Sequence, residues 1–432
     1  MEMEIATKKD NSVEVMACLK MNSFGTKPEK TIPNFINIFE IDNNLKDLVR
    51  YNELSMSAEN ARTGKIWNDQ DDSVVKFYIE KNYNLRQNEC YYDAFNIIAH
   101  KNSYNPIKQV LEKHQWDGKP RIETLLQKYL KCDDNDYTRE VARLIFTGGI
   151  ARLYNPGCKF DFMPIFRGQQ GSGKSSFIRW LALNDSWFKE VGDIDGQEGK
   201  EALDGAWICE ISELLALTKS KEVEAVKSFI TRQNDNYRKP YERRVTDNPR
   251  KCIFIGTTNK TQFLTDKTGN RRFLPIETYC NGYDLYDQEE QCRNDILQCW
   301  LEAKQNFDKG NYSLVVNKEI LDQVKQQQNS YVEDDWRIGV IEKYIEGKQR
   351  TCVKDIWDNA FNYKEKPITK KDCNDIVSIF DNEFSKQWEK SSSIRFPEYG
   401  RQRGWIRKLE PIKDDSELPF NDETEQKDEL FS

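Results

Sequence analysis

Histidine is almost missing from this 432-residue chain. Only His100 and His114 occur, and neither has a cysteine or second histidine at ligand spacing. That scarcity argues against a structural zinc site and against a hydrolase built on a histidine base. Eleven cysteines are scattered without a C-x-x-C pair, so reduced, mostly buried thiols are expected. No run of eighteen or more apolar residues occurs, and no membrane helix is expected. The opening Met1-Glu-Met-Glu-Ile lacks a basic n-region and an apolar h-region, so it is not expected to be a secretory leader. Lys427-Asp-Glu-Leu430 is followed by Phe431 and Ser432, which argues against a retention signal.

Charged residues are abundant, at 32%, with a net charge of −7. The composition suits a soluble globular chain, and the balance argues against a surface coated in basic patches. Positive charge is concentrated instead. The expected organisation is a flexible N-terminus over 1–30 and an α-rich domain over 31–115. A nucleotide-binding α/β core with a helical lead-in follows over 116–310. A connecting helix and a helix–strand–helix–helix–hairpin module occupy 311–410, and an acidic, disordered tail fills 411–432.

The core is marked by Phe162-Met-Pro-Ile-Phe-Arg-Gly168-Gln-Gln-Gly171-Ser172-Gly173-Lys174-Ser175-Ser176, an apolar run feeding a loop of spacing G-x-x-x-x-G-K-S. Gly168, Gly171 and Gly173 let successive N–H groups point at one polyphosphate, with Ser172 and Ser176 in the same cradle. Lys174 is placed for the β/γ-phosphates, and the Ser175 hydroxyl for Mg²⁺. The following helix presents its positive end to the same phosphates. Pro164 is expected at the first residue of the preceding strand, since proline removes a ladder donor.

Downstream features fit hydrolysis of ATP. Ala206-Trp-Ile-Cys-Glu210-Ile-Ser-Glu213 is an apolar strand with acids near its end; Glu213 suits water activation, and Glu210 either the metal or an ion pair. Ile253-Phe-Ile-Gly-Thr-Thr258-Asn259 is a buried strand ending in an amide that can sense the γ-phosphate. Gly269-Asn-Arg271-Arg272 offers guanidinium groups that could reach a nucleotide on a neighbouring subunit. Lys227 to Lys251 holds eight basic and three acidic residues with interleaved aromatics. Within it, Arg238, Lys239, Tyr241, Arg243 and Arg244 suit single-stranded nucleic acid. A small-molecule kinase would leave Asn259, the arginine pair and the basic segment unexplained. Guanine recognition is disfavoured, because no Asp stands two residues after Asn259-Lys260.

Together these motifs resemble the virulence-associated protein E family of phage and mobile-element proteins, related to superfamily 3 helicases within the AAA+ ATPases. The resemblance runs through Trp116-Asp-Gly-x-Pro-Arg121, Pro156-Gly-x-Lys-x-Asp161, the glycine loop, Trp207-x-x-Glu-x-x-Glu213, Lys227-x-Phe-Ile-Thr-Arg232, Asp235-x-Tyr-Arg-x-Pro-Tyr241, Thr257-Thr-Asn259 and Gly269-Asn-Arg-Arg272. It implies an α/β AAA+-type phosphate-loop core with a C-terminal winged-helix-like domain. It also implies an oligomer, expected to be hexameric, that hydrolyses ATP with Mg²⁺ and passes single-stranded DNA through a central channel. By the same resemblance, Asn259 is the sensor, Arg271 or Arg272 the finger acting in trans, and the 239–244 segment the DNA-contacting hairpin. Arg401 and Arg403 in the C-terminal module suit an origin duplex, and a host replication protein is a further possible partner. The expected setting is the cytoplasm of a bacterial host. An ATP-switched DNA-binding protein that assembles without unwinding is the alternative.

Overall fold

The computed structural model describes residues 10–192, 203–212, 220–237, 246–261, 263–264, 270–331 and 335–408. The chain divides into two compact units, Met1–Glu333 and Asp334–Ser432.

The first unit opens with α1 (Ser12–Ala17) and α2 (Ile32–Ile41). Then come β1 (Val49–Asn52), β2 (Ser57–Asn60) and β3 (Lys65–Ile66), followed by α3 (Asp69–Tyr83), α4 (Asn88–Lys101), β4 (Ser103–Tyr104) and α5 (Pro106–Lys113). The region is α-rich as expected, but the lead-in expectation needs correction: from residue 10 onward it packs, with Val15 and Leu19 buried beside Phe35, Ile38 and Phe39. The region also holds a four-stranded sheet in the order β3-β2-β1-β4. Its strands are four residues or shorter and rich in polar residues, so no period-two signal reaches the sequence. α3 begins at a capping box in which Asn68 and Asp71 each bond the other's backbone, with three acids in its first turn.

A helical frame follows, with α6 (Ile122–Leu130) and α7 (Asp136–Tyr154). The core continues through β5 (Met163–Arg167), α8 (Lys174–Leu181), β6 (Phe188–Glu190), β7 (Ile208–Ile211), α9 (Ser220–Thr231) and the paired strands β8 (Asn234–Tyr237) and β9 (Thr246–Pro249). It closes with β10 (Ile253–Thr258), β11 (Phe273–Glu277), α10 (Gly282–Tyr286), α11 (Glu289–Asp308) and α12 (Leu321–Ser330). Strands β11-β5-β10-β7-β6 form one sheet in which every pairing is parallel. β7 and β10 are buried throughout, as strands covered on both faces must be. Pro164 stands second in β5, not first as expected. The ladder to β10 begins beyond it, at Ile165.

Helix α7 carries Gly148 and Gly149 in its middle, although each glycine costs a helix about 1 kcal/mol relative to alanine. Packing explains them. A Cβ on Gly148 would sit 2.4 Å from the Phe160 ring, and one on Gly149 2.5 Å from Trp300. Trp300 packs against Trp207 with ring centroids 4.2 Å apart and planes tilted by 37°, and both indole nitrogens donate to buried carbonyls, of Leu181 and Gly149 respectively. The Trp116–Arg121 turn is a staple. Arg121 bonds both oxygens of Asp117 and reaches Asp295 of α11, while Glu302 of α11 accepts from the N–H groups of Arg121 and Ile122 that open α6.

The second unit contains α13 (Trp336–Ile345), β12 (Arg350–Cys352), a helical segment over 353–360, α14 (Lys370–Ile379), β13 (Trp388–Phe396) and β14 (Gly400–Arg407). Its sheet is antiparallel, in the order β12-β14-β13. Trp405 of β14 stacks on Phe380 at 4.0 Å, closing a core with Ile341, Ile376 and Trp388.

Candidate functional site

The glycine loop joins β5 to α8 at the carboxyl edge of the parallel sheet, where crevices open in such folds. Gly171 and Gly173 have φ of +77° and +89°, left-handed values that only glycine adopts cheaply. Gly168 must also lack a side chain, because a Cβ there would lie 2.4 Å from Thr278 Oγ1. The Gly168 N–H donates to Thr258 O at 3.1 Å, tying the loop to the end of β10. α10 closes over the loop from the other side, with Leu285 against Gly173 and Gly282 against Gly171.

Lys174 is buried and curls back over the loop. Its Nζ donates to Gly168 O at 3.0 Å, Gln169 O at 2.7 Å and Ser172 Oγ at 3.1 Å. All three partners are neutral, and burial lowers its pKa from the ordinary lysine value. An ammonium in that position gains most from an anion entering the loop. Ser175 Oγ donates to Glu210 Oε1 at 2.7 Å, and Thr257 Oγ1 donates to the same oxygen at 2.8 Å. Glu210 is 1% exposed, and burial pushes its carboxyl above the usual range. Ser176 Oγ and the Tyr286 hydroxyl are hydrogen-bonded, joining α8 to α10.

A cleft of about 710 Å³ is lined by the loop, Lys174, Ser175, Glu190, Asn259 and Tyr286, and Glu210 lines a smaller one of about 330 Å³ that shares Ser175, Glu190 and Tyr286 with it. Lys174, Ser175, Glu210 and Asn259 are thus brought together from β5–α8, β7 and β10. Glu213 lies outside the described residues. Glu190 and Tyr286 carried no sequence signal: one ends a three-residue edge strand, and the other lies 110 residues from its partner Ser176. The facing Ser175 hydroxyl and Glu210 carboxylate form an oxygen donor set that fits Mg²⁺, a hard cation. Among the described residues no group of three His, Cys, Asp or Glu side chains could hold a metal by itself.

Arg271 and Arg272 stand on a short turn, Asn270–Arg272, before β11. Arg271 is exposed, whereas Arg272 is partly buried with its Nε 3.9 Å from Asp161. The turn is held from behind: Gln328 of α12, buried, donates through Nε2 to Asn270 O at 2.9 Å and Phe273 O at 2.8 Å.

The basic segment has a built base. β8 and β9 pair antiparallel up to Tyr237↔Thr246. Arg238, Lys239, Tyr241, Arg243 and Arg244, between those ends, lie outside the described residues. Not every cation in the run is surface charge. Arg250 and Asp235 are 3% and 4% exposed and paired through two hydrogen bonds, Arg250 Nη2 to Asp235 Oδ1 at 2.9 Å and Nε to Oδ2. Arg250 also donates to Phe229 O and lies over the rings of Phe229 and Phe254. Lys227 is buried as well. In the second unit Arg401 and Arg403 are exposed on β14, and Arg401 stands directly opposite Arg395 of β13.

Fold and cleft together define a mixed α/β protein whose parallel sheet carries a glycine-rich loop and an open cleft at its carboxyl edge. The sequence pattern of the virulence-associated protein E-like domain matches residues 111–333, just over half the chain, and the chain belongs to that family. No curated protein sequence matches it. Among solved structures it is similar to the apo NrS-1 C-terminal region (305–718), with a TM-score of 0.47, 15% identity, and coverage of 83% of this chain and 96% of that one. A second apo form of the same region gives 0.45 and 14%, with 83% and 95% covered. No helix among the described residues is long and apolar enough to cross a membrane.

Proposed function

We propose that the chain is a Mg²⁺-dependent ATP hydrolase with a phosphate-loop core of the AAA+ type, working as an oligomer on DNA in the replication of a phage or other mobile element. The observation that carries the reading is the arrangement of Lys174 inside the loop and Ser175 against Glu210 at its mouth. The loop's N–H groups and Lys174 hold the β- and γ-phosphates, Ser175 and Glu210 hold the metal, and Asn259 contacts the γ-phosphate from the end of β10. Bound Mg²⁺ supplies charge neutralisation on the triphosphate. Lys174 exchanges its neutral carbonyl partners for phosphate oxygens, which relieves the cost of its burial. Glu213, two residues beyond the end of β7 in sequence, is the sequence's candidate for activating water.

Arg271 is the better finger for a neighbouring subunit's nucleotide, because it is exposed while Arg272 contacts Asp161. This reading requires a ring, expected to be hexameric. The sequence between the paired strands β8 and β9 supplies Arg238, Lys239, Arg243 and Arg244, the cations that would grip single-stranded DNA in its channel. In the second unit, helices and a basic hairpin fit a winged-helix module. Arg395 and Arg401, like charges set opposite each other, are relieved by a phosphate backbone.

The test is strand displacement on a forked duplex with ATP and Mg²⁺, with Lys174→Ala as control. Unwinding that vanishes in the control is expected. DNA-stimulated ATP hydrolysis without unwinding would replace the motor with an ATP-switched assembly factor. Hydrolysis unchanged by Lys174→Ala would overturn the nucleotide assignment.

A further inference from the structure

Glu190 belongs to no motif, yet the sheet sets it beside Glu210, the buried acid that accepts from Ser175. β6 runs parallel to β7 in the register Phe188↔Ile208, Lys189↔Cys209 and Glu190↔Glu210. In-register residues on neighbouring parallel strands project from the same face. The two carboxylates therefore leave the carboxyl edge side by side.

Their surroundings differ. Glu210 is buried, with Oε1 already accepting from Ser175 and Thr257. Glu190 is exposed and lines the same cleft as Lys174, Ser175 and Asn259. Its Oε1 accepts from the Ser212 hydroxyl, and its Oε2 has no hydrogen-bond partner among the described residues. A buried carboxylate with two hydroxyl donors is suited to holding a metal-bound oxygen ligand in place. A carboxylate fixed through one oxygen and open through the other is suited to aligning water.

We propose that Glu190 is a catalytic residue of this cleft, the carboxylate that orients the attacking water and accepts its proton. Ser212 is the positioning residue that fixes it. The inference rests on reading the cleft as an ATP hydrolase. In the step assigned, the water oxygen bonds to the γ-phosphorus and the bond from that phosphorus to the β,γ-bridging oxygen breaks. The bridging oxygen keeps the electron pair and leaves with ADP. The proton lost by the water passes to Glu190 and on to solvent, leaving ADP and inorganic phosphate; no oxidant or reductant takes part. The acid pair that the sequence spaces three residues apart, at 210 and 213, is replaced here by one drawn from two neighbouring strands.

The experiment uses the full chain with DNA, measuring steady-state ATP hydrolysis and, separately, the affinity for a fluorescent ATP analogue. Glu190→Gln is expected to lower kcat about 30-fold or more, within the range for removing a general base. Affinity for the analogue should stay within about threefold, and Glu190→Asp should recover at least about tenfold of the lost rate. A smaller loss in Glu190→Gln, or a loss matched by equally weakened binding, overturns the proposal. So does a Glu213→Gln variant that is inactive beside an active Glu190→Gln, which assigns the water to Glu213. A parent chain that neither binds the analogue nor hydrolyses ATP overturns the cleft reading and this proposal together. A parent that does both, beside an unimpaired Glu190→Gln, overturns this proposal alone.

Discussion

Asp235→Ala should be among the most damaging single substitutions at the base of the basic hairpin. The change leaves the Arg250 guanidinium at 3% exposure with its carboxylate gone. The Phe229 carbonyl and the rings of Phe229 and Phe254, at 4.5 and 5.2 Å, remain but do not neutralise it. Removing one partner of a buried ion pair costs about 3–5 kcal/mol, whereas replacing both by apolar groups is often close to neutral. The double variant Asp235→Ala/Arg250→Met should therefore recover to within about 2 kcal/mol of the parent. Urea unfolding followed by tryptophan fluorescence reads this directly, because Trp207 and Trp300 are fully buried in the same unit. The coupling energy is the sum of the two single losses minus the double loss. A loss below about 1 kcal/mol for Asp235→Ala, or additive singles, would refute the claim that these charges are paired in a dry interior.

Two further outcomes are expected. Glu210→Gln should abolish ATP hydrolysis yet raise the melting temperature of the nucleotide-free protein at pH 7.5 by about 2–4 °C. The sign follows from its raised carboxyl: the folded state holds a proton that the unfolded state releases near pH ~4.3, so stability is lost as pH rises from there toward the folded value. The variant's advantage must fade as pH falls toward ~4, and a pH-independent difference measured by scanning calorimetry would contradict the argument. Arg401→Ala and Arg403→Ala should each reduce the salt dependence of duplex DNA binding by about one unit of slope; an unchanged slope in anisotropy titrations would remove that hairpin from the interface.

The glycine loop was legible because its information is local: six consecutive positions dictate a backbone path, and Gly171 and Gly173 take the left-handed angles that path needs. β7 and β10 were legible as apolar runs, since burial on both faces writes itself into composition. The rest of the cleft was not. Glu190 acquires its meaning from register with Glu210, and register across a sheet leaves no trace in either strand alone. Tyr286 and Gln328 act on partners 110 and 58 residues away, beyond any periodic pattern. The basic run misled in a different way. Counting charges treats Arg250 as equal to its neighbours, although the fold sequesters it with Asp235 beneath the hairpin.

The hold of Gln328 on the arginine turn has a consequence for the nascent chain. The turn at 270–272 leaves the ribosome well before the residue that sets its shape, because Gln328 lies 58 positions beyond Asn270. At roughly 5–20 residues per second, translation alone separates the two by about 3–12 s. By the end of that interval the five strands of the parallel sheet exist as sequence, and the glycine loop with them, while the arginine turn still lacks the two hydrogen bonds from Gln328. If Arg271 serves a neighbouring subunit as proposed, its turn gains both of its Gln328 hydrogen bonds only once the chain has been made through residue 328.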